Sequence, residues 1–343
     1  MTADKSGRED TRLYFDSRWR GSHGIGRYSD EVRSRTRIHF EDFTSSLSAT
    51  SPFDALNFSR FKLQSNTVIY SPGFNAGIAS VDQIPTVHDL ILMDENSTKS
   101  NLHKLYFDRV VRPAIRKSKL VFTVSQTSKA ELQEWIGDES VTVANTGNGV
   151  SEIFHLGGLD RNFKKGNNIL FVGNLRKHKN LITLLDAVKK LQWVNLRLVV
   201  PLSESEEVWR SISYRSMSHR CRVESNLTDH QLLRAYKESD LLAFPSTKEG
   251  FGLPAAESVS AGTPVVYATQ CKSVAEIVGE FGFGVDSALD SDMWSEAIQW
   301  QLKLANTVEP SENWRSRYLW GTVAEKIDQS LNAWLANRDL GDG

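Results

Sequence analysis

Short apolar runs rich in β-branched residues recur along this chain and alternate with longer amphipathic stretches, and that alternation limits its fold more than any other feature. The runs are Leu13–Phe15, Thr67–Ser71, Pro85–Leu92, Leu120–Ser125, Val141–Asn145, Ile169–Val172, Leu196–Val200, Leu241–Pro245 and Pro264–Ala268. Several are continuous hydrophobes rather than strict alternations, as expected of strands covered on both faces. Between them lie helical patterns such as Leu102–Lys117, Gln126–Trp135, Leu181–Leu191, Asp229–Glu238 and Ser273–Val278. Strand–helix alternation of this kind predicts parallel α/β sheets.

A length of 343 residues favours two domains over one. The polar segment Gly157–Asn168 interrupts the alternation near the middle with turn formers and almost no apolar residue, and is expected to link them. The expected division is 1–163 for a first domain, 164–318 for a second, and 319–343 for a terminal helix. The net charge of −1 gives no support to a nucleic-acid binder held by bulk charge. Two cysteines, Cys221 and Cys271, are too few and too far apart for a disulfide framework or a zinc site. The polar start Met1–Asp10 lacks the apolar core of a signal peptide, and no apolar run reaches the ~18 residues that span a bilayer. A cytoplasmic protein is expected. The tryptophans at 294, 300, 314, 320 and 334 are expected to serve packing.

The most informative segment runs from Ser246 to Val266 and follows a buried run. Gly250 and Gly252 allow positive φ or close approach of a ligand. Pro254 suits an early helical position, and the helix is expected to run to about Ala261, where Gly262 caps it. Amides at such a helix start, together with the dipole, form an anion site suited to a diphosphate. Glu249 and Glu257 flank it; acids beside a phosphate are unfavourable unless they accept from hydroxyls instead, of a sugar for Glu249 and a ribose for Glu257. The plain alternative is a solvated Glu257 and a Glu249 that merely favours the helix dipole.

The string Pro-Ser-x-x-Glu249-Gly250-Phe251-Gly252-Leu253-Pro254, continued by Glu257 and Gly-Thr-Pro-Val-Val, closely resembles the donor-site signature of the retaining glycosyltransferases of family 4. Other stretches resemble family landmarks in the same order: Ile169 to Leu181, Glu224 to Ser246, Thr86-Val-His88-Asp89-Leu, Val124 to Lys129 and Asn148-Gly149-Val150. The resemblance covers most of the chain from Phe15 to about Trp320. It implies an α/β protein of GT-B fold: two facing Rossmann-like domains, with a C-terminal helix crossing back to the first.

The resemblance also implies roles. Ser246, Glu249, Gly250, Phe251, Gly252, Leu253 and Glu257 would bind the donor, with Lys179 neutralising its diphosphate. The family often carries Arg after the glycine matched by Gly173, whereas this chain has Asn174; Arg176 is expected to supply that charge. His88 is expected at a strand end, touching the donor sugar, and Asp89 to orient local backbone. Catalysis would rest on His88, Lys179 and Glu249. In the loop Gly21 to Tyr28, Gly24 and Gly26 are assigned to close approach to the diphosphate, and Arg27 and Tyr28 to the acceptor side.

The implied reaction retains anomeric configuration and needs no cofactor or metal, because the leaving diphosphate can accept the acceptor's proton. Asp290-Ser-Asp292, the only D-x-D, reads as a helix N-cap. Similarity to bacterial mannosyltransferases of lipopolysaccharide and exopolysaccharide synthesis points to GDP-mannose as the nucleotide-sugar donor and a glycan or lipid-linked oligosaccharide as acceptor. Other GDP-, UDP- or dTDP-sugars stay open, as do an epimerase, a phosphorylase and a non-catalytic sugar-nucleotide binder. Lys99, Lys104, Arg109, Arg112, Arg116, Lys117 and Lys119 crowd one segment with apolar residues between them. They suggest a cationic face for anionic membrane, or a solvated helix packed on its own domain.

Overall fold

The computed structural model describes residues 11–21, 24–45, 47–49, 51, 54–55, 64, 66–94, 98–156, 166–304 and 307–341. The chain divides into two compact units, Met1–Gly149 with Trp320–Gly343, and Val150–Leu319. The division falls earlier than the expected 163/164 boundary. Its physical basis is a parallel bridge between Val150 and Leu319, where the chain enters and leaves the second unit. The helix Glu152–Leu156 follows at once, burying Phe154 with its ring 5.9 Å from Tyr236. Most of the polar segment expected to be the linker lies outside the described residues.

In the first unit, β1 (Arg12–Asp16), β2 (Glu41–Phe43), β3 (Thr67–Ser71) and β4 (Asp82–Pro85) form a parallel sheet of order β2-β1-β3-β4. A bridge from Thr86 to Phe122 carries it on to the parallel pair β5 (Leu120–Thr123) and β6 (Thr142–Asn145). The expected strand Pro85–Leu92 is thus displaced toward the N-terminus. A hydrophobicity scan passes over its first residues, Asp82 and Gln83. Yet Gln83 is buried because its amide is satisfied at both ends, accepting from the Gly77 amide at 2.6 Å and donating to the Gly77 carbonyl at 2.8 Å. Asp89 Oδ1 accepts the Ile91 amide at 2.9 Å and starts the turn Ile91–Asp94.

The single helix expected over Leu102–Lys117 is Thr98–Tyr106, a π turn Phe107–Val111 and then Arg112–Ser118. Pro113 has no amide for the carbonyl four residues back, and the Arg112 amide reaches the Phe107 carbonyl instead, widening the turn. The last helix, Trp320–Gly341, packs on Gly24–Arg35. Asp328 anchors it, accepting the Arg37 amide at 2.8 Å and the Thr36 hydroxyl at 2.5 Å.

The second unit holds six parallel strands: β7 (Asn168–Val172), β8 (Asn195–Val199), β9 (Cys221–Glu224), β10 (Leu241–Phe244), β11 (Val265–Ala268) and β12 (Gly282–Val285). Their order is β12-β11-β10-β7-β8-β9. The two edge strands escape the sequence pattern for a shared reason. Each is half solvated, so Cys-Arg-Val-Glu and Gly-Phe-Gly-Val carry little apolar content. The core joins Ile169, Phe171, Leu184, Leu198 and Leu241 to Trp294 and Ile298 of the helix Ser291–Leu304. Trp294 and Trp314 are buried, each donating to a carbonyl, of Ala288 at 3.1 Å and Ile277 at 3.0 Å. Asp290 accepts the amides of Asp292 and Met293 and caps its helix.

A Cβ on Gly26 would sit 2.5 Å from the Gly21 carbonyl oxygen, whereas one on Gly24 would meet nothing within 4 Å. Gly26→Ala is therefore expected to cost about 2–3 kcal/mol in denaturant unfolding. Gly24→Ala should be neutral or stabilise slightly; equal losses in the two variants would contradict this.

Candidate functional site

In an open parallel sheet the carboxyl ends of the strands share one edge, and a crevice opens where the strand order reverses. In the second unit that place lies between β7 and β10, because β8 continues on one side of β7 and β10 on the other. The loops leaving these two strands carry the residues singled out above. They are tied together by the Thr247 amide, which donates to the His178 carbonyl at 2.8 Å.

After β7 the chain makes a tight turn in which Asn174 Oδ1 accepts the Arg176 amide at 3.1 Å. A short 3-10 turn, Lys177–Lys179, follows, and Asn180 then adopts a left-handed φ of 52° before the helix Leu181–Lys190. Lys179 Nζ lies 2.6 Å from Glu249 Oε1, with both side chains mostly buried, and 5.7 Å above the Phe244 ring. Arg176 is exposed and forms no ion pair among the described residues. The Glu249 carbonyl accepts the Ser273 hydroxyl at 2.8 Å, which fixes the loop from a third element.

Beyond Glu249 the backbone turns sharply into the helix Leu253–Ser260. Gly252 takes φ 102°, and a Cβ there would lie 2.6 Å from Val274 Cγ2, so both conformation and space demand glycine. The anion donors are fewer than a free helix start would offer. Pro254 has no amide, and those of Ala255 and Ala256 turn back onto the Gly252 carbonyl. Among the described residues the amides of Gly252 and Leu253 have no hydrogen-bond acceptor. Ser246 and Phe251 are buried, Phe251 with its ring 5.7 Å from Tyr318, so their side chains shape the loop rather than present a surface. Gly250 is buried as well.

Glu257 is 3% exposed and accepts the Tyr236 hydroxyl on Oε2 at 2.9 Å. A carboxylate so deprived of water is expensive unless hydrogen-bonded. The solvated-helix alternative therefore does not hold. Tyr236 was not anticipated. Its helix, Asp229–Glu238, is legible through the capping box of Thr228 and Gln231, but its contact with Glu257 is not.

In the first unit the strand order reverses between β1 and β3. The Asp16 carboxylate there holds Arg18 through two contacts of 2.7 Å. The Arg18 guanidinium also pairs with Asp54, and Asn75 Nδ2 donates to Asp54 Oδ2 at 2.6 Å. Burial pushes the Asp16 carboxyl up, against the pull of Arg18. The sequence reading missed this cluster. Asp16-x-Arg18 at a strand end is a faint signal, and Asp54 sits in a stretch without periodicity.

His88 lies just past the β4 end, its Nε2 2.9 Å from the Pro72 carbonyl. Burial pulls its pKa down to about 4, so the ring is neutral at pH 7. A carbonyl can only accept; Nε2 therefore carries the proton and Nδ1 is an acceptor. The His88 carbonyl accepts the Ser128 hydroxyl at 3.0 Å.

One assignment in this unit needs correction. Tyr28 is fully buried, its hydroxyl 3.1 Å from Thr146 Oγ1 and its ring edge-on to His88 at 4.8 Å, so it supports His88 and offers nothing to an acceptor. Gly26 is buried, and a Cβ there would lie 2.5 Å from the Gly21 carbonyl oxygen, so the chain's own backbone already requires glycine at this position. Gly24 is exposed, and Arg27 is half-exposed on the same helix.

Several cations of the basic segment are held by local partners. Arg112 pairs with Asp108 at 2.6 Å and lies over the Trp135 ring. Arg116 donates to the Ile136 carbonyl, Lys117 to that of Ser80, and Lys119 pairs with Asp138 at 3.0 Å. Among the described residues no helix is long and apolar enough to cross a membrane.

Removing Arg18 leaves two buried carboxylates facing each other, and Arg18→Met is expected to cost about 3–5 kcal/mol in urea unfolding. Protonating His88 puts a charge on a half-buried, poorly solvated ring. Its depressed folded pKa therefore gives stability that is complete above about pH 6.5 and lost as pH falls toward 4. The melting-temperature difference between His88→Gln and the wild type should shift in the variant's favour across that range; a pH-independent difference would contradict the neutral ring.

Comparison with known proteins agrees with this geometry. The chain is 22% identical over 258 residues to the O-antigen chain mannosyltransferase RfbU of Salmonella typhimurium, covering 74% of this chain and 69% of RfbU. It spans less than half the length of the next curated relatives it matches. A crystal structure of a glycosyltransferase from Rickettsia africae superposes with a TM-score of 0.69 at 15% identity, over 96% of this chain and all of that one. Alr3699/HepE of Anabaena, solved in complex with UDP and glucose, gives 0.66 at 19% identity, over 94% of this chain and 100% of that chain. These likenesses show the fold, GT-B, with a parallel sheet in each Rossmann-like unit. Residues 160–317, most of the second unit, match the family Glycosyl transferases group 1.

Proposed function

We propose that this protein is a retaining glycosyltransferase of the family 4 kind, moving a hexose from a nucleotide sugar onto a glycan or lipid-linked acceptor. The observation that carries this reading is the arrangement at the β7–β10 switch: a lysine, a glycine-forced helix start and two differently held carboxylates. The diphosphate would take the amides of Gly252 and Leu253 and the Lys179 ammonium. Arg176, exposed on the neighbouring turn, would add charge.

Binding a phosphate to Lys179 breaks or shares its contact with Glu249, which then turns an oxygen to the sugar hydroxyls. Glu257, held by Tyr236, is preset for a pair of ribose hydroxyls. As the glycosidic bond breaks, negative charge grows on the diphosphate beside a cation already in place, so little reorganisation is needed. The diphosphate oxygen takes the acceptor's proton on the same face, which retains configuration and requires no protein base and no metal. The only D-x-D is committed to capping a helix, which supports that reading. His88 Nδ1 is assigned a hydroxyl of the sugar, as an acceptor.

Mannose from GDP-mannose is the preferred donor, supported by the likeness to RfbU. UDP-glucose is the second reading, favoured by the likeness to a structure holding UDP and glucose. At the surface, Leu102 and Leu105 are exposed beside Arg109 and would form a small membrane-contact patch near a lipid-linked acceptor.

A panel of GDP-, UDP- and dTDP-sugars, screened by thermal stabilisation and slow donor hydrolysis, tests base and hexose together. Lys179→Ala and Glu257→Gln should each weaken the stabilising donor by about 10- to 150-fold in calorimetry, the worth of a charge-assisted hydrogen bond. His88→Ala should lose transfer while keeping donor affinity. Unchanged affinity in both Lys179→Ala and Glu257→Gln removes the donor-site assignment, and an intact protein that binds donors without turnover is a binding protein instead.

A further inference from the structure

We infer that the second unit carries a saccharide-binding groove at the outer edge of its sheet, built from β12 and the helix Ser291–Leu304. β12 is the terminal strand of the six, and a cavity of about 430 Å³ lies between it and that helix. The volume falls in the range of about 300–1,000 Å³ usual for small-ligand sites.

The helix divides its tryptophans between two environments. Trp294 is buried with its indole N–H satisfied, as core packing requires. Trp300, two turns later, lines the cavity, is 47% exposed, and lies with its ring centroid 4.7 Å from that of Phe283 at a tilt of 42°. The contact with Phe283 props the indole at a fixed angle instead of burying it. Leaving that much ring surface in water sacrifices hydrophobic stabilisation that a partner would recover.

The surrounding groups say what kind of partner fits. Asp286, Glu296 and Gln299 line the same cavity, with Lys303 beside them. A pyranose presents an apolar C–H face that packs on an indole and a rim of hydroxyls that donate to carboxylates and amides. Two acids disfavour a phosphate or an anionic lipid headgroup. The charged side chains of Asp286, Glu296 and Lys303 disfavour the apolar face of a protein helix. The occupant is therefore a neutral stretch of glycan, and the groove would hold an oligosaccharide away from the residues of the β7–β10 switch. The inference rests on the proposed function only in expecting that this protein handles glycans; none of its residues belongs to the donor site.

Affinity gel electrophoresis of the full chain through mannan, dextran and xylan tests it, with tryptophan fluorescence as a second readout. At least one polysaccharide should retard the wild type, and Trp300→Ala should bind it about tenfold more weakly, the loss of one stacked ring. Trp300→Phe should recover part of the loss. Trp300→Ala should keep the melting temperature and the nucleotide-sugar stabilisation of the wild type, because the side chain is half exposed and outside the donor site. Absence of retardation of the wild type by all three polymers, or equal retardation of Trp300→Ala, overturns the groove. If instead no nucleotide sugar stabilises the wild type, the glycosyltransferase reading fails while retardation still decides this one.

Discussion

The parallel sheet of the second unit is the constraint from which its chemistry follows. All six strands run in one direction, so their carboxyl ends and the loops that leave them share one edge. The order reverses between β7 and β10, and the loops that leave these two strands meet at the place where open parallel sheets hold their ligands. Lys179 stands in the first loop and Glu249 in the second, seventy positions apart in sequence and 2.6 Å apart in space. The crossover rule brings them together; nothing in their local sequence does.

Within that space two acids with similar sequence settings acquire different characters. Glu249 pairs with a cation on a loop, and a competing anion can release it. Glu257 is fixed inside the unit by a tyrosine hydroxyl. One carboxylate is thus balanced by a loop cation and the other is held by a buried hydroxyl. The first unit follows the same logic with different means. A buried cluster of Asp16, Arg18 and Asp54 pins the loop after β1, and Tyr28 packs against the His88 ring.

The strands of both sheet centres were legible because burial on two faces demands runs of hydrophobes, as in Ile169–Val172 and Leu241–Phe244. Edge strands lack that demand, so β2, β9 and β12 left no such mark. The turn into Leu253–Ser260 was legible because Gly252, Pro254 and Gly262 are local backbone chemistry, and the latter's φ of 80° agrees with its capping role. Tyr28 was misjudged since it follows a glycine-rich loop, a surface signature, while its burial comes from Trp320 and His88 far along the chain. The basic segment follows the same rule. Charge counted along a helix does not tell which cations fold back onto Asp108, Ser80 or Ile136.

By itself the sequence determined the strand–helix alternation, the turn that exposes a helix start, and which residue types stand near it. These depend on hydrophobic periodicity and on the backbone preferences of glycine and proline, which act over a few residues. The tertiary structure decided which carboxylate holds which partner, which histidine nitrogen keeps its proton, where each unit begins, and which tryptophan faces water. Those outcomes are set by burial and by electrostatic contacts between residues far apart in the chain, and only the packed fold brings them within bonding distance.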